Sequence, residues 1–237
     1  MKNISVILTA WKRSSIEEQL IRLSKQTLIN NVDIYLWQNE NHIDVSCLRQ
    51  KFEFHHIQSS KNLKFHGRFS LPLLLPTEYC VIVDDDTLPN PKWLEKCVSL
   101  CEKENCIVGG NGRIISCDFK THDEVCVDDP MLDVEVDYVG HCWFFRTEWI
   151  REFWKFPQPT FETGEDISFC ASLKISKGIR SFVSSKAISD EIGDSDRRKY
   201  GTDMNSSYTN VSGQIRKDII IPHWKNLGWK LITEGRP

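Results

Sequence analysis

The chain has 237 residues, of which 40% are hydrophobic and 27% charged, with a formal net charge of -3. This is enough chain for one domain with a sizeable core, and too little positive charge to draw in nucleic acid through a general field. No apolar run reaches bilayer length. The N-terminal MKNISVILTA lacks the long apolar stretch and cleavage pattern of a signal peptide, so it reads as a first strand.

Ile4 to Thr9 is short, apolar and β-rich. Ser15 with Glu18 three residues on has the form of a capping box, and Ile16, Leu20 and Leu23 follow at helical spacing. Val32 to Trp37 alternates as a strand, and Phe52 to Ile57 is a weaker one. Phe69 to Leu75 predicts a short helix bent or delimited by Pro72. Tyr79 to Val83 is a compact apolar run of the buried-strand type. Asn90 and Pro91 predict the start of a helix running to about Glu104.

Strands follow at Cys106 to Val108, Arg113 to Cys117 and Val134 to Val139, and His141 to Phe145 is aromatic and extended. Thr147 to Trp154 reads as helix, Gly164 to Lys177 as turn then helix, and Ile179 to Ser184 as strand. Nine cysteines without a CxxC pair point to reduced thiols and a cytoplasmic location. Cys97 and Cys101 share a helical face with Leu94 and Val98, which suits core packing better than metal binding. Strands alternating with helices predict an α/β fold with a largely parallel sheet flanked by helices.

Residues 1–189 are expected to form this domain. From Asp190 to Gly213 the chain is polar and reads as a flexible loop. Ile219 to Leu231 regains apolar character and must pack on the same domain. The basic run Arg197-Arg198-Lys199 falls in the loop and reads as a solvated charge run. Asn205 and Asn210 match glycosylation acceptor patterns that are expected to stay unmodified.

Asp84-Asp85-Asp86 directly follows the apolar run Tyr79 to Val83. Three adjacent carboxylates repel, so a fold that gathers them normally supplies a cation. The C-terminal end of a parallel strand is also where α/β folds bind ligands. Hard oxygen donors suit Mg²⁺ or Mn²⁺, which keep bonds to substrate phosphates.

With the opening SVILTA strand and Gly164-Glu165-Asp166 before a helix, the sequence resembles the GT-A nucleotide-sugar glycosyltransferases, a Rossmann-like fold, especially the family 2-like and exostosin-like groups. The resemblance covers about residues 1–185 and rests on the DxD triplet and the Glu-Asp helix start in this order. It implies a nucleotide-sugar donor, with UDP the family default, a carbohydrate acceptor and Mn²⁺ or Mg²⁺. It makes Asp86 the metal ligand, joined by Asp84 and the late His223, and turns Asp84 or Asp85 to the ribose.

The resemblance places Thr9, Ala10, Trp11 and Arg13 around the base, Asn39 at its edge, and Asn62, Lys64, Gly67 and Arg68 along the nucleotide, Arg68 pairing with a phosphate. Asp166, with Glu165, would take the proton from the acceptor hydroxyl. The resemblance would set His141 and Trp143 along the acceptor side, although the aromatic run by itself reads more readily as core. Family 2 likeness favours inversion and exostosin likeness retention.

Two rival functions differ in kind. A nucleotidyltransferase shares the layer fold, but Trp11-Lys12-Arg13-Ser14-Ser15 has no glycine to cradle phosphates. A non-catalytic nucleotide- or carbohydrate-binding module has no need of both carboxylate motifs. No GxGxxG follows a strand, which disfavours a dinucleotide oxidoreductase.

Overall fold

The computed structural model describes residues 3–116, 124–127, 131–185, 194–195 and 212–235. The Arg197-Arg198-Lys199 run, Asn205, Asn210 and most of the expected loop lie outside them. The chain runs β1 (Ile4–Ala10), α1 (Ile16–Leu23), β2 (Val32–Asn39), α2 (Ser46–Arg49), β3 (His55–Ser59), β4 (Tyr79–Val83), β5 (Thr87–Leu88) and α3 (Trp93–Glu104). It continues β6 (Cys106–Ile115), β7 (Glu124–Val127), β8 (Val134–Val136), β9 (Tyr138–Arg146), α4 (Ile150–Lys155), α5 (Glu165–Lys177), β10 (Arg180–Val183) and β11 (Asp194–Ser195). A last helical run joins α6 (Ser212–Ile215), a π-helical segment (Arg216–Ile220) and α7 (Ile221–Asn226).

One sheet has the order β3-β2-β1-β4-β9-β6-β10-β8, with β7 paired to β6, and β11 pairs β5 separately. The pairings make β3, β2, β1, β4, β6 and β10 run one way and β9, β8 and β7 the other. This is the mixed, mostly parallel α/β sheet predicted. β1 and β4 are buried along their whole length, as central parallel strands are when both faces are covered.

Side chains alternate along β9, so the two faces separate there. Phe145 meets Phe169 of α5 and Trp143 meets Phe69, while Cys142 points to the face carrying Cys97 of α3. Cys97 and Cys101 are fully buried core, and both are free thiols.

Several local expectations change. Residues 67–74 form two 3-10 turns, because Pro72 near the start of the second has no N–H to continue a ladder. Ser15 makes no side-chain cap, and its hydroxyl goes instead to the carbonyl of Asp85. Strands β8 and β9 divide at Asp137, whose carboxylate accepts from the Ile115 and Ile232 N–H groups.

The C-terminal run does pack on the domain, with Ile220, Ile221, Trp224, Trp229 and Leu231 buried. Gly164, at φ +80, is where it lands: a Cβ there would lie 2.2 Å from Ile220 Cδ1. At the sheet centre a Cβ on Gly109 would lie 2.2 Å from Val139 Cβ. Neither atom there is the loose end of a side chain, so Gly109→Ala forces strands β6 and β9 apart. Its cost should be about 1–3 kcal/mol, read as a lowered urea midpoint; a midpoint equal to wild type would contradict this close approach.

Candidate active site

The triplet sits where β4 ends, and the turn that carries it is held from three sides. The Asp84 N–H donates to the His141 carbonyl (2.9 Å) and Thr87 N–H closes on the Asp84 carbonyl (3.1 Å). Gln19 Nε2, fully buried on α1, donates to the carbonyls of Asp84 (2.7 Å) and Thr87 (2.9 Å). Gln19 has no mark in the sequence and Ser15 reads there only as a helix cap, because each acts through backbone far along the chain.

His141 owes its place to a β-bulge. Between Gly109 and Asn111 on β6, the partner strand steps from Trp143 to Gly140, so β9 carries one extra residue. His141 takes φ 63 there, a left-handed conformation that costs a non-glycine residue energy. In return its carbonyl also accepts from Thr87 Oγ1 (3.0 Å), and its Nδ1 lies 3.1 Å from Asp86 Oδ1. Lys12 and Glu40, just past β1 and β2, and Lys64, in the loop after β3, also have positive φ.

The cations that the triplet needs are supplied by the protein itself. Arg13 pairs with Asp85 and lies 3.8 Å from Asp86. Arg68 is 8% exposed and bridges Asp84 (2.9 Å) and Glu165 (3.1 Å). It packs 5.1 Å from the Trp143 ring centroid, in a wall that also holds Phe65 and Phe69. Arg216 pairs with Asp166 at 2.9 Å. Asp166 Oδ1 accepts the Ile167 N–H (2.8 Å), one of the donors a helix start leaves open.

Burial sets the electrostatics. It pushes Glu165 up to about 7, helped by Asp166 and opposed by Arg68 and Arg216. It pushes Asp85 to about 7 against Arg13, and raises Asp84 against Arg68. At Asp86 burial is outweighed by the His141 hydrogen bond and charge and by Arg13, so its carboxyl lies below the usual range. Burial opposes the charge on Arg68, but Asp84 and Glu165 outweigh it. His66, 2% exposed beside Arg68, is pulled down to about 4 by burial and that charge.

The site therefore gathers Arg13, Arg68, Asp84, Asp85, Asp86, His141, Glu165 and Asp166, and four expectations change. Arg68 is no phosphate partner as it stands, because its guanidinium is enclosed between two carboxylates. Trp143 is 1% exposed and its Nε1 donates to the Val139 carbonyl, so it belongs to the core and cannot stack on an acceptor. Asn39 accepts from the Leu63 N–H and donates to Asn62 Oδ1 and the Lys64 carbonyl, so its amide locks the following loop and has little left for a base edge. His223 sits on α7 with its ring edge-on to Trp224, and the described partners of Asp84 and Asp86 are Arg68, Arg13 and His141.

Around the expected base pocket, Thr9 Oγ1 is already used on the Val83 carbonyl (2.8 Å) and Ala10 is fully buried. Trp11 is half-buried, with Lys12 Nζ 4.3 Å from its ring and an indole N–H that has no hydrogen-bond partner among the described residues. Lys64 reaches across to Glu162 (3.1 Å). Arg216 is a site member that the sequence reading missed.

The raised Glu165 makes a pH prediction. Its folded pKa of about 7 lies above the ordinary 4.5, so between those values the unfolded chain releases a proton that the folded chain keeps. Stability should therefore fall as pH rises through that window. Glu165→Gln removes this share and should flatten the decline by about 1–3 kcal/mol, leaving the part due to Asp85. Urea midpoints at pH 5 and pH 7.5 measure it; an unchanged decline in the variant would mean that Glu165 ionises freely.

No protein-family model and no curated protein sequence matches this chain. Solved structures do. Staphylococcus aureus TarS, a glycosyltransferase, matches with a TM-score of 0.55 at 15% identity, over 77% of this chain and 36% of that one. A second structure, TarS 1-349, matches with a TM-score of 0.56 at 14% identity, over 78% and 60%. The chain thus spans 36% and 60% of the two structures it matches, and what it shares with them is a glycosyltransferase-like fold.

Proposed function

We propose that this chain is a metal-dependent glycosyltransferase that moves a sugar from a nucleoside-diphosphate donor, a UDP-sugar, to a hydroxyl of a carbohydrate acceptor. The observation that carries the proposal is the Arg68 bridge: one guanidinium lies 2.9 Å from Asp84 and 3.1 Å from Glu165. It brings a carboxylate group at a strand end and a second at a helix start into one site. The fold shared with TarS supports the same reading.

Among the described residues, no group of three His, Cys, Asp or Glu side chains is arranged to hold a metal ion. Mg²⁺ and Mn²⁺ do not require one, since they keep waters and take further ligands from substrate phosphates. The donor chemistry fits such an ion, with Asp86 as the holding carboxylate and His141 beside it. Asp86, whose carboxyl is held below the usual range, is the triplet member that keeps a negative charge for the ion. Bound there, the ion supplies Lewis-acid stabilisation of the diphosphate leaving group.

The chain's own residues do the rest. Trp11, just past β1, is the aromatic nearest the expected nucleoside position, and its buried indole N–H has no partner among the described residues. Asp166 takes the proton as the acceptor oxygen attacks the anomeric carbon and the bond to the diphosphate breaks. Arg68 keeps Glu165 and Asp84 apart in charge and fixed in place.

Thermal shift with UDP and UDP-sugars, with and without Mn²⁺, tests this. Saturating ligand at 100 Kd stabilises by about 2.7 kcal/mol, which is about 5–10 °C at this size. Asp86→Ala should lose most of the Mn²⁺-dependent shift. Asp166→Asn should keep the shift and lose about 100-fold or more in transfer. A full Mn²⁺-dependent shift in Asp86→Ala would remove Asp86 from the site.

A further inference from the structure

We propose that Arg216, on the C-terminal helical run, is a positioning residue that holds Asp166 in the orientation needed to accept the acceptor's proton. The proposal rests on the reading of Asp166 as the general base, and it assigns the C-terminal segment a part in the site.

Asp166 is held at both oxygens, by the Ile167 N–H on Oδ1 (2.8 Å) and by Arg216 Nη2 on Oδ2 (2.9 Å). The first contact comes from its own helix and limits one rotation. The second comes from fifty residues away and fixes the carboxylate plane. A general base works through a short, aligned hydrogen bond, and a base oriented by a third group is the usual way to keep that alignment. Each carboxylate oxygen retains a further acceptor site, so the pair with Arg216 leaves Asp166 able to receive a hydroxyl.

The C-terminal run is built to deliver this guanidinium. Arg216, Ile220 and Trp224 recur four residues apart, the spacing of one helical stripe. All three meet α5 or its entry turn. Ile220 Cδ1 fills the space over Gly164 where a Cβ would sit, and Trp224 Nε1 donates to Ser168 Oγ (2.9 Å). Phe156 packs edge-on to Trp224, at 5.4 Å between centroids. Two anchors thus dock the run on the helix that carries Asp166, and Arg216 lies one turn beyond them. It is also the first residue of the π-helical segment, a feature that recurs at functional sites because it re-aims side chains. Arg216 keeps 20% of its side chain exposed, while that of Asp166 keeps 8%.

The test compares Arg216→Ala, Arg216→Lys and Asp166→Asn with wild type. The probes are UDP-glucose, UDP-galactose and UDP-N-acetylglucosamine with Mn²⁺, water acting as acceptor and UDP release being measured. Arg216→Ala should lower kcat by roughly 10- to 100-fold, the cost of a misplaced reacting group, with the donor KM within about twofold. Arg216→Lys should recover part of that loss, since a lysine restores the charge but not the fork.

Hydrogen exchange at the Ile167 amide supplies a readout that needs no turnover. It should be faster in Arg216→Ala, while exchange at the Leu227 and Trp229 amides, which donate to the His223 and Trp224 carbonyls, stays native and shows the run still docked. A wild-type kcat in Arg216→Ala, or a donor KM that rises while kcat holds, would overturn the proposal, the latter by making Arg216 a donor ligand. If no probe turns over, unchanged Ile167 exchange in Arg216→Ala overturns it as well. Wild-type turnover in Asp166→Asn is a different failure, because it removes the base itself.

Discussion

The arrangement of the site depends on one buried cation. Arg68 is enclosed by Trp143, Phe65 and Phe69 and touches a carboxylate on each side. Taking a guanidinium out of water is expensive, and the expense is recovered only when well-placed partners surround it. The reverse also holds, since Asp84 and Glu165 are tolerated in the interior because Arg68 lies between them. Removing one partner strands the other, so the end of β4 and the start of α5 cannot drift apart without exposing an unpaired charge. The aromatic cluster of Phe69, Trp143, Phe153 and Phe169 lies behind Arg68, and the pair with Glu165, whose side chains are 9% and 6% exposed, gains most from the low dielectric there.

The sheet topology explains why these groups meet at all. β9 runs antiparallel between β4 and β6, so the start of β9 lies beside the end of β4. Without a bulge, that strand would continue its alternation past the triplet. The extra residue turns His141 into the left-handed region, sends its carbonyl to the triplet turn and its imidazole to Asp86. A locally costly backbone is thereby repaid by hydrogen bonds that shape the acidic turn, which is the usual economy of strain beside a site.

What could be read from the sequence was whatever depends on neighbours along the chain. The buried run of Tyr79 to Val83 feeding three carboxylates, the Gly-Glu-Asp helix entry and the apolar stripe of Cys97 and Cys101 are all local patterns, and each has its expected place. What stayed hidden depends on partners far away. Arg68 and Glu165 are 97 positions apart, so nothing near Arg68 says that it faces carboxylates and not phosphates. Asn39 looked like a group for reading a base, but its amide is consumed by a loop 23 to 25 positions on. The aromatic run holding Trp143 read more readily as core than as an acceptor platform, and packing against Phe69 agrees with the core reading. Arg216 follows a polar tract and has no local mark, because its meaning comes from the helix it docks on.

The charge pattern bears on how the proposed donor would be received. Arg13, Arg68 and Arg216 are each engaged by the protein's own carboxylates. A diphosphate entering alone would have to strip one of them away and leave a buried carboxylate unpaired, at a cost of several kcal/mol. A diphosphate entering with a divalent cation is nearly neutral and meets carboxylates whose partners can stay where they are. Asp86 is the natural contact for that cation, since its carboxyl is the member of the triplet held below the usual range and so keeps its negative charge most firmly. On the proposed function, then, the arginines serve as a fixed frame and the mobile positive charge is the one that travels with the donor.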